Sequence, residues 1–91
     1  MKLPKIPKDW TTDATRLPKV DVAWKDATSI QGWKDWETIQ GYDLFIVHTI
    51  GYLLPSGKDI LRLATTIGEN QELAGIWLIP LTWVQGVKKI K

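Results

Sequence analysis

His48 is the only histidine of the 91-residue chain, and it lies in a strongly apolar stretch. A catalytic histidine needs a carboxylate to orient its ring, and Asp26 and Asp43 are the candidates for that role. The chain has no cysteine and no second histidine. A tetrahedral metal site built from nitrogen and sulfur ligands is therefore excluded, and we interpret His48 as a hydrogen-bonded structural residue.

Five carboxylates lie between residues 21 and 43, from the first strand to the start of the apolar stretch that contains His48. Paired carboxylates can perform acid–base chemistry when their environments separate their pKa values. The pattern instead favours solvated or capping roles for these acids, which are Asp21, Asp26, Asp35, Glu37 and Asp43. Asp26, which is followed by Thr28 and Ser29, fits an Asx-type turn.

The hydroxyl groups and the one phosphate-loop-like segment do not form a catalytic pattern. Pro55-Ser56-Gly57-Lys58 lacks the glycine spacing and the following helix of a P-loop, so it predicts a β-turn. Ser56, Thr65 and Thr66 have no histidine-plus-acid pattern to activate them. We therefore predict no catalytic residue, no metal, no cofactor and no enzymatic activity.

The six tryptophans are the strongest sign of function. Trp24 and Trp77 lie in apparent strands and are expected in the core, whereas Trp33 and Trp36 are expected to cover an open end of a barrel. Exposed tryptophans beside lysines can stack nucleic-acid bases or bury against another subunit, and both interpretations stay open here. The candidate binding residues are Trp10, Trp83, Lys5, Lys8, Lys88 and Lys89.

Charge is distributed unevenly, although the net charge is only +2. Residues 1–19 carry five basic residues (Lys or Arg) and two acidic ones. Residues 20–57 carry two basic and five acidic residues, and residues 58–91 carry five basic and three acidic residues. The ends are thus basic and the middle is acidic.

The sequence has no cysteine, no apolar run long enough to span a membrane and no signal peptide. A cytoplasmic location is therefore the default expectation.

These side chains must be positioned by a small, mainly β domain. Residues 1–19 contain three prolines, which predicts an extended N-terminal arm, and residues 20–91 form the single domain. Alternation over 20–26 predicts a first strand. Trp33, Trp36 and Ile39 are spaced three apart, which indicates a short helical turn over 33–40 that must pack on the sheet.

The remaining strands follow from apolar runs and turn signals. Residues 43–67 predict a hairpin with a bend at Gly51, and 73–79 predict another strand. Residues 81–84 suit a 3₁₀ turn and 87–91 a last strand with lysines that protect its edge. Five strands with a helical turn before the last indicate a small SH3-like or Sm-like barrel, with an OB-like barrel as the alternative.

The chain also resembles a group of small uncharacterised proteins of tailed bacteriophages and prophages. The likeness covers about residues 20–91, while the proline-rich arm departs from it. Its motifs are Val22-Ala-Trp24-Lys-Asp26-Ala27, Gly32-Trp33, Gly51-Tyr52-Leu53-Leu54, Leu63-Ala64 and Ile79-Pro80. The resemblance implies a phage origin and the cytoplasm of the infected host, and it supplies no catalytic residue.

These features favour a non-catalytic interaction module that acts through protein contacts and forms a homo-oligomer. Two alternatives remain. One is a nucleic-acid-binding small barrel that uses Trp10 or Trp83 with the lysines, including Lys2 and Lys91. The other is a phage counter-defence protein that inhibits a host enzyme or sequesters a nucleotide.

Overall fold

The computed structural model describes residues 2–26 and 32–91. It is mainly β, as predicted, and its strands form one antiparallel sheet in the order β4-β3-β2-β1-β5. The strands are β1 (Lys19–Asp26), β2 (Phe45–Leu53), β3 (Ile60–Ile67), β4 (Leu73–Pro80) and β5 (Val84–Lys89). The predicted 3₁₀ turn before the last strand is confirmed at Leu81–Trp83.

The sheet is open. β4 and β5 are its two edges, and no pairing between them closes it within the described residues. β2 and β3 pair only at Tyr52 with Ala64 and at Leu53 with Leu63. This short stretch of pairing connects β1, β2 and β5 to β3 and β4. The prediction of a closed SH3-like, Sm-like or OB-like barrel is therefore not confirmed.

The main core lies on one face of the sheet, which we call the inner face. β1 directs Val20, Val22 and Trp24 to this face, as its alternating pattern predicts, and each is at most 6% exposed. The same cluster contains Leu53, Leu61, Leu63, Ile79 and Val84. The opposite, outer face carries the intervening residues of each strand.

The predicted hairpin of residues 43–67 is confirmed as the antiparallel pair β2–β3. Gly51 lies immediately before the short junction between these strands and is buried. A Cβ atom at this position would lie 2.9 Å from the carbonyl oxygen of Ala64. Glycine therefore permits the close approach of the two backbones where a bend was expected.

The N-terminal arm packs against the sheet, and part of it is helical where an extended conformation was expected. It forms two 3₁₀ turns, Lys8–Thr11 and Ala14–Arg16, and the carboxylate of Asp13 caps the second by accepting from the Thr15 amide. A second apolar cluster joins this arm to the sheet; its buried members are Ala14, Leu17, Leu54 and Ala64. The backbone amide of Ala14 also donates to Oε1 of Gln71 at 2.6 Å.

The only α-helix of the described residues, α1, is short and exposed. It spans Trp36–Gln40, and the Asp35 carboxylate caps it by accepting from the Thr38 amide at 2.8 Å, which confirms the predicted capping role. The expectation that this turn packs on the sheet is wrong, because all five helical residues are exposed. No helix within residues 2–26 and 32–91 has the length and apolar character needed to cross a membrane.

Candidate interaction surfaces

Three tryptophans from three separate elements meet on the inner face. Trp24 of β1 lies edge-on to Trp77 of β4, with ring centroids 6.3 Å apart and planes at 60°. Trp24 also stacks on Trp83 of the 3₁₀ turn, with ring centroids 6.3 Å apart and planes at 14°. These are favourable aromatic geometries, so the three rings form a continuous cluster that joins β1 to the far edge of the sheet.

The cluster is only partly covered, and several burial predictions for the tryptophans need correction. Trp24 is in the core as expected, but Trp77 is 45% exposed. Trp83 is 41% exposed, in line with its predicted accessibility. Trp33 and Trp36 cover nothing, at 102% and 69% exposure, because the short segment that carries them does not pack on the sheet.

The edge strand β4 exposes a continuous run of apolar side chains. Ile76, Trp77 and Leu78 are consecutive and are 50%, 45% and 60% exposed. Trp77 faces inward while Ile76 and Leu78 lie on the outer face, so apolar side chains are exposed on both sides of the strand. β4 contains no charged residue, and the backbone edge that it does not share with β3 has no partner strand in the described part of the chain. Such an edge is ready to pair with another strand.

The opposite end of the sheet carries a basic cleft between the N-terminal arm and the end of β5. We use this name for the depression of about 400 Å³ lined by the cations Lys5, Arg16, Lys19, Lys89 and Lys91. Tyr52 contributes to its wall, and the Lys19 ammonium lies 5.8 Å from the centre of that ring. Among the described residues, no Asp or Glu lines the depression.

An adjoining depression of about 520 Å³ extends the positive surface. It shares Lys5 and Lys89 with the basic cleft and adds Lys2. No acidic residue of the described chain lines this depression either. The two together form a longer basic groove, in which Lys5 and Lys89 occupy the common boundary.

The predicted binding residues do not form one site. Lys5 and Lys89 line the basic cleft, while Lys8 lies on the first 3₁₀ turn and does not. Trp10 packs against the second apolar cluster. Trp83 precedes β5, whose six residues place it roughly 20 Å from the cleft end of that strand. Sequence reasoning missed Arg16, Lys19 and Tyr52, whose part in the cleft depends on how the arm packs.

His48 has a carboxylate partner, but it is neither of the predicted ones. Nδ1 of His48 lies 2.8 Å from Oδ1 of Asp21. The register pairs Asp21 with Ile50 and Ala23 with His48, so these two side chains are diagonal neighbours on the outer face. Asp26 and Asp43 were the expected partners, and the period-two alternation places Asp26 on the opposite face from His48.

The described residues around this pair do not form a catalytic group with it. The shallow depression beside it is lined by Lys88, Ala23 and Gly86, and no residue of the described chain brings a hydroxyl group into it. Within residues 2–26 and 32–91, no three or more His, Cys, Asp or Glu side chains are grouped so that they could hold a metal ion. The Asx-turn partners expected for Asp26, Thr28 and Ser29, lie outside the described residues.

No protein-family model matches the chain, nor does any curated protein or solved structure. The resemblance to small phage proteins stays a prediction.

Proposed function

We propose that the chain is a protein-interaction module that associates with itself through the free edge of β4. The observation that carries this proposal is the run Ile76-Trp77-Leu78, exposed on both faces of an edge strand. Soluble proteins usually protect such edges with charges, prolines or a covering element. β4 has none of these along its exposed run, so another strand is the natural cover.

The two sheet edges differ in a way that supports pairing at β4. β5 carries Lys88 and Lys89, and inward or edge lysines oppose the approach of a second strand. β4 carries no charge, so two copies can approach without like-charge repulsion. The open backbone edge supplies hydrogen-bond donors and acceptors, and the exposed side chains supply apolar area.

A second copy is the occupant that this edge fits best. In a two-fold symmetric pair the same strand meets itself in antiparallel orientation, and each apolar residue then faces an apolar residue. Antiparallel pairing of the two β4 strands would join the five-stranded sheets into one continuous sheet. Ile76 and Leu78 would then form cross-strand contacts on the outer face.

The oligomeric state tests this proposal directly. We expect size-exclusion chromatography with light scattering to give a dimer at micromolar concentration. The double variant Ile76→Lys/Leu78→Lys should be monomeric, because four lysines would meet at the paired edges. Both positions are on the outer face, so the tryptophan cluster is left intact.

A matched control separates edge pairing from a general loss of surface hydrophobicity. Ile46→Lys/Ile50→Lys places the same two charges on exposed positions of β2, also on the outer face. This control should remain dimeric. A wild-type chain that is monomeric across the concentration range, or a control that dissociates as fully as the β4 variant, would overturn the proposal.

A further inference from the structure

The fold brings the two basic ends of the chain to one place. The backbone amide of Ile90 donates to the Lys19 carbonyl oxygen at 2.8 Å, which holds the end of the chain beside the start of β1. The arm residues Lys5 and Arg16 line the same cleft as Lys89 and Lys91. We propose that the basic cleft binds the phosphodiester backbone of a single-stranded nucleic acid.

The charges of the cleft are largely uncompensated. Arg16 pairs with Asp9 at 3.2 Å, but Lys5, Lys19, Lys89 and Lys91 have no ion-pair partner among the described residues. Several cations around one depression raise the local positive potential and repel one another. A bound chain of phosphates would relieve that repulsion and release its own counterions, which is the main source of affinity for nucleic acid.

Tyr52 fixes the position of one of these cations. It pairs across the β1–β2 ladder with Lys19, and the Lys19 ammonium lies over its ring. A cation–π contact of this kind restrains a flexible side chain that would otherwise extend into solvent. Because the Lys19 side chain is already restrained, it loses little conformational entropy when it contacts a phosphate group.

The shape of the surface favours a polymer over a single small anion. Two adjoining depressions share Lys5 and Lys89, so the cations continue from Lys91 at one end to Lys2 at the other. A flexible single strand can follow such a groove. Depressions of a few hundred Å³ are too small to enclose a double helix, and their concave form does not match a flat lipid surface.

Fluorescence anisotropy with a labelled oligothymidylate of about 12 nucleotides tests this proposal. Thymidylate reports backbone contacts because it has little secondary structure of its own. About five phosphate contacts on a single strand predict roughly a hundredfold loss of affinity between 50 and 200 mM salt. The wild-type full chain should bind at low salt with this dependence.

Charge reversal at the shared boundary of the groove gives the specific test. Lys5→Glu/Lys89→Glu should weaken binding by more than about tenfold at low salt, because it removes two contacts and adds two repulsions. The control Lys34→Glu/Lys58→Glu changes the net charge equally at exposed positions outside both depressions. It should retain affinity within about twofold.

Three results would overturn the inference: no binding to the oligothymidylate at low salt, equal losses in the two double variants, or tighter binding to duplex DNA or to anionic vesicles. Light scattering on the same samples measures self-association separately. A dimer that does not bind the oligonucleotide rejects this inference and leaves the proposal for β4 standing. A monomer that binds it supports this inference and rejects the proposal for β4.

Discussion

The indole Nε1–H of Trp24 donates a hydrogen bond of 3.0 Å to the hydroxyl oxygen of Thr49 inside the core. The antiparallel register places both residues on the inner face, where Thr49 faces Val22 and Trp24 faces Val47. Thr49 is 8% exposed and Trp24 is 6% exposed. A buried N–H group needs an acceptor, and this threonine supplies it at the centre of the tryptophan cluster.

Thr49→Val should destabilise the fold, because it keeps the shape of the side chain and leaves the Trp24 N–H group unpaired. An unsatisfied buried donor costs about 1–3 kcal/mol. Urea unfolding followed by tryptophan fluorescence measures the change in the free energy of unfolding. Thr66→Val is the matched control, since Thr66 is exposed on β3 and should change stability little. Equal destabilisation by both variants would contradict the role assigned to Thr49.

Gly75 should be intolerant of substitution by alanine. Its φ angle is +64°, and a Cβ atom there would collide with the Thr65 side chain. Strain of this kind costs about 1–3 kcal/mol, so Gly75→Ala should lower the thermal midpoint by several degrees. Gly86→Ala is the control, because a Cβ atom at Gly86 meets nothing within 4 Å. Adding Thr65→Ala to Gly75→Ala should recover only part of the loss, since the backbone strain remains.

The packing of the N-terminal arm should depend on Gln71. Its Oε1 accepts from the Ala14 amide, and Ala14 is buried. Gln71→Ala keeps the positive φ of this position but removes the acceptor, at a cost of about 1 kcal/mol. The equilibrium constant for detachment of the arm from the sheet should then increase about fivefold. Limited trypsin digestion, read as cleavage after Arg16, measures this effect.

The control for the arm is Gln85→Ala. Gln85 is exposed, and its one side-chain hydrogen bond within the described residues goes to the nearby Trp83 carbonyl oxygen at 3.4 Å. Cleavage after Arg16 should proceed at the wild-type rate in this variant. An unchanged rate in Gln71→Ala would show that apolar contacts alone hold the arm.

Strands whose two faces differ in polarity were predictable from the sequence. Val20-Asp-Val-Ala-Trp24 alternates, and β1 buries the residues that this alternation indicates. β4 is different, because Leu73–Ile79 is apolar at nearly every position and therefore resembles a strand buried on both faces. Its position in an apparent strand predicts Trp77 in the core. The strand lies at the edge of the sheet instead, and strand order is a property that periodicity does not encode.

The candidate sites depended on contacts that a linear pattern does not contain. The basic charge of both ends was visible in the sequence, but their meeting requires the pairing of β1 with β5 and the packing of the arm. The partner of His48 likewise depends on the register of β1 and β2, which decides that Asp21 is the diagonal neighbour. A shift of that register by one residue would have moved each side chain to the other face.

Helix α1 should lose its cap in acid. The Thr38 hydroxyl and the Thr38 amide both donate hydrogen bonds to the Asp35 carboxylate, and the hydroxyl has the larger effect. Together they hold the pKa of Asp35 below its ordinary value of 3.8. Because the folded pKa is the lower one, the stabilisation is complete above the ordinary value and is lost as the pH falls through the folded pKa. NMR titration of the Asp35 carboxyl carbon and the Thr38 amide should show one shared midpoint below 3.8. In Asp35→Ala the Thr38 amide should show no such transition, and a midpoint at or above the ordinary value in the wild type would refute the cap.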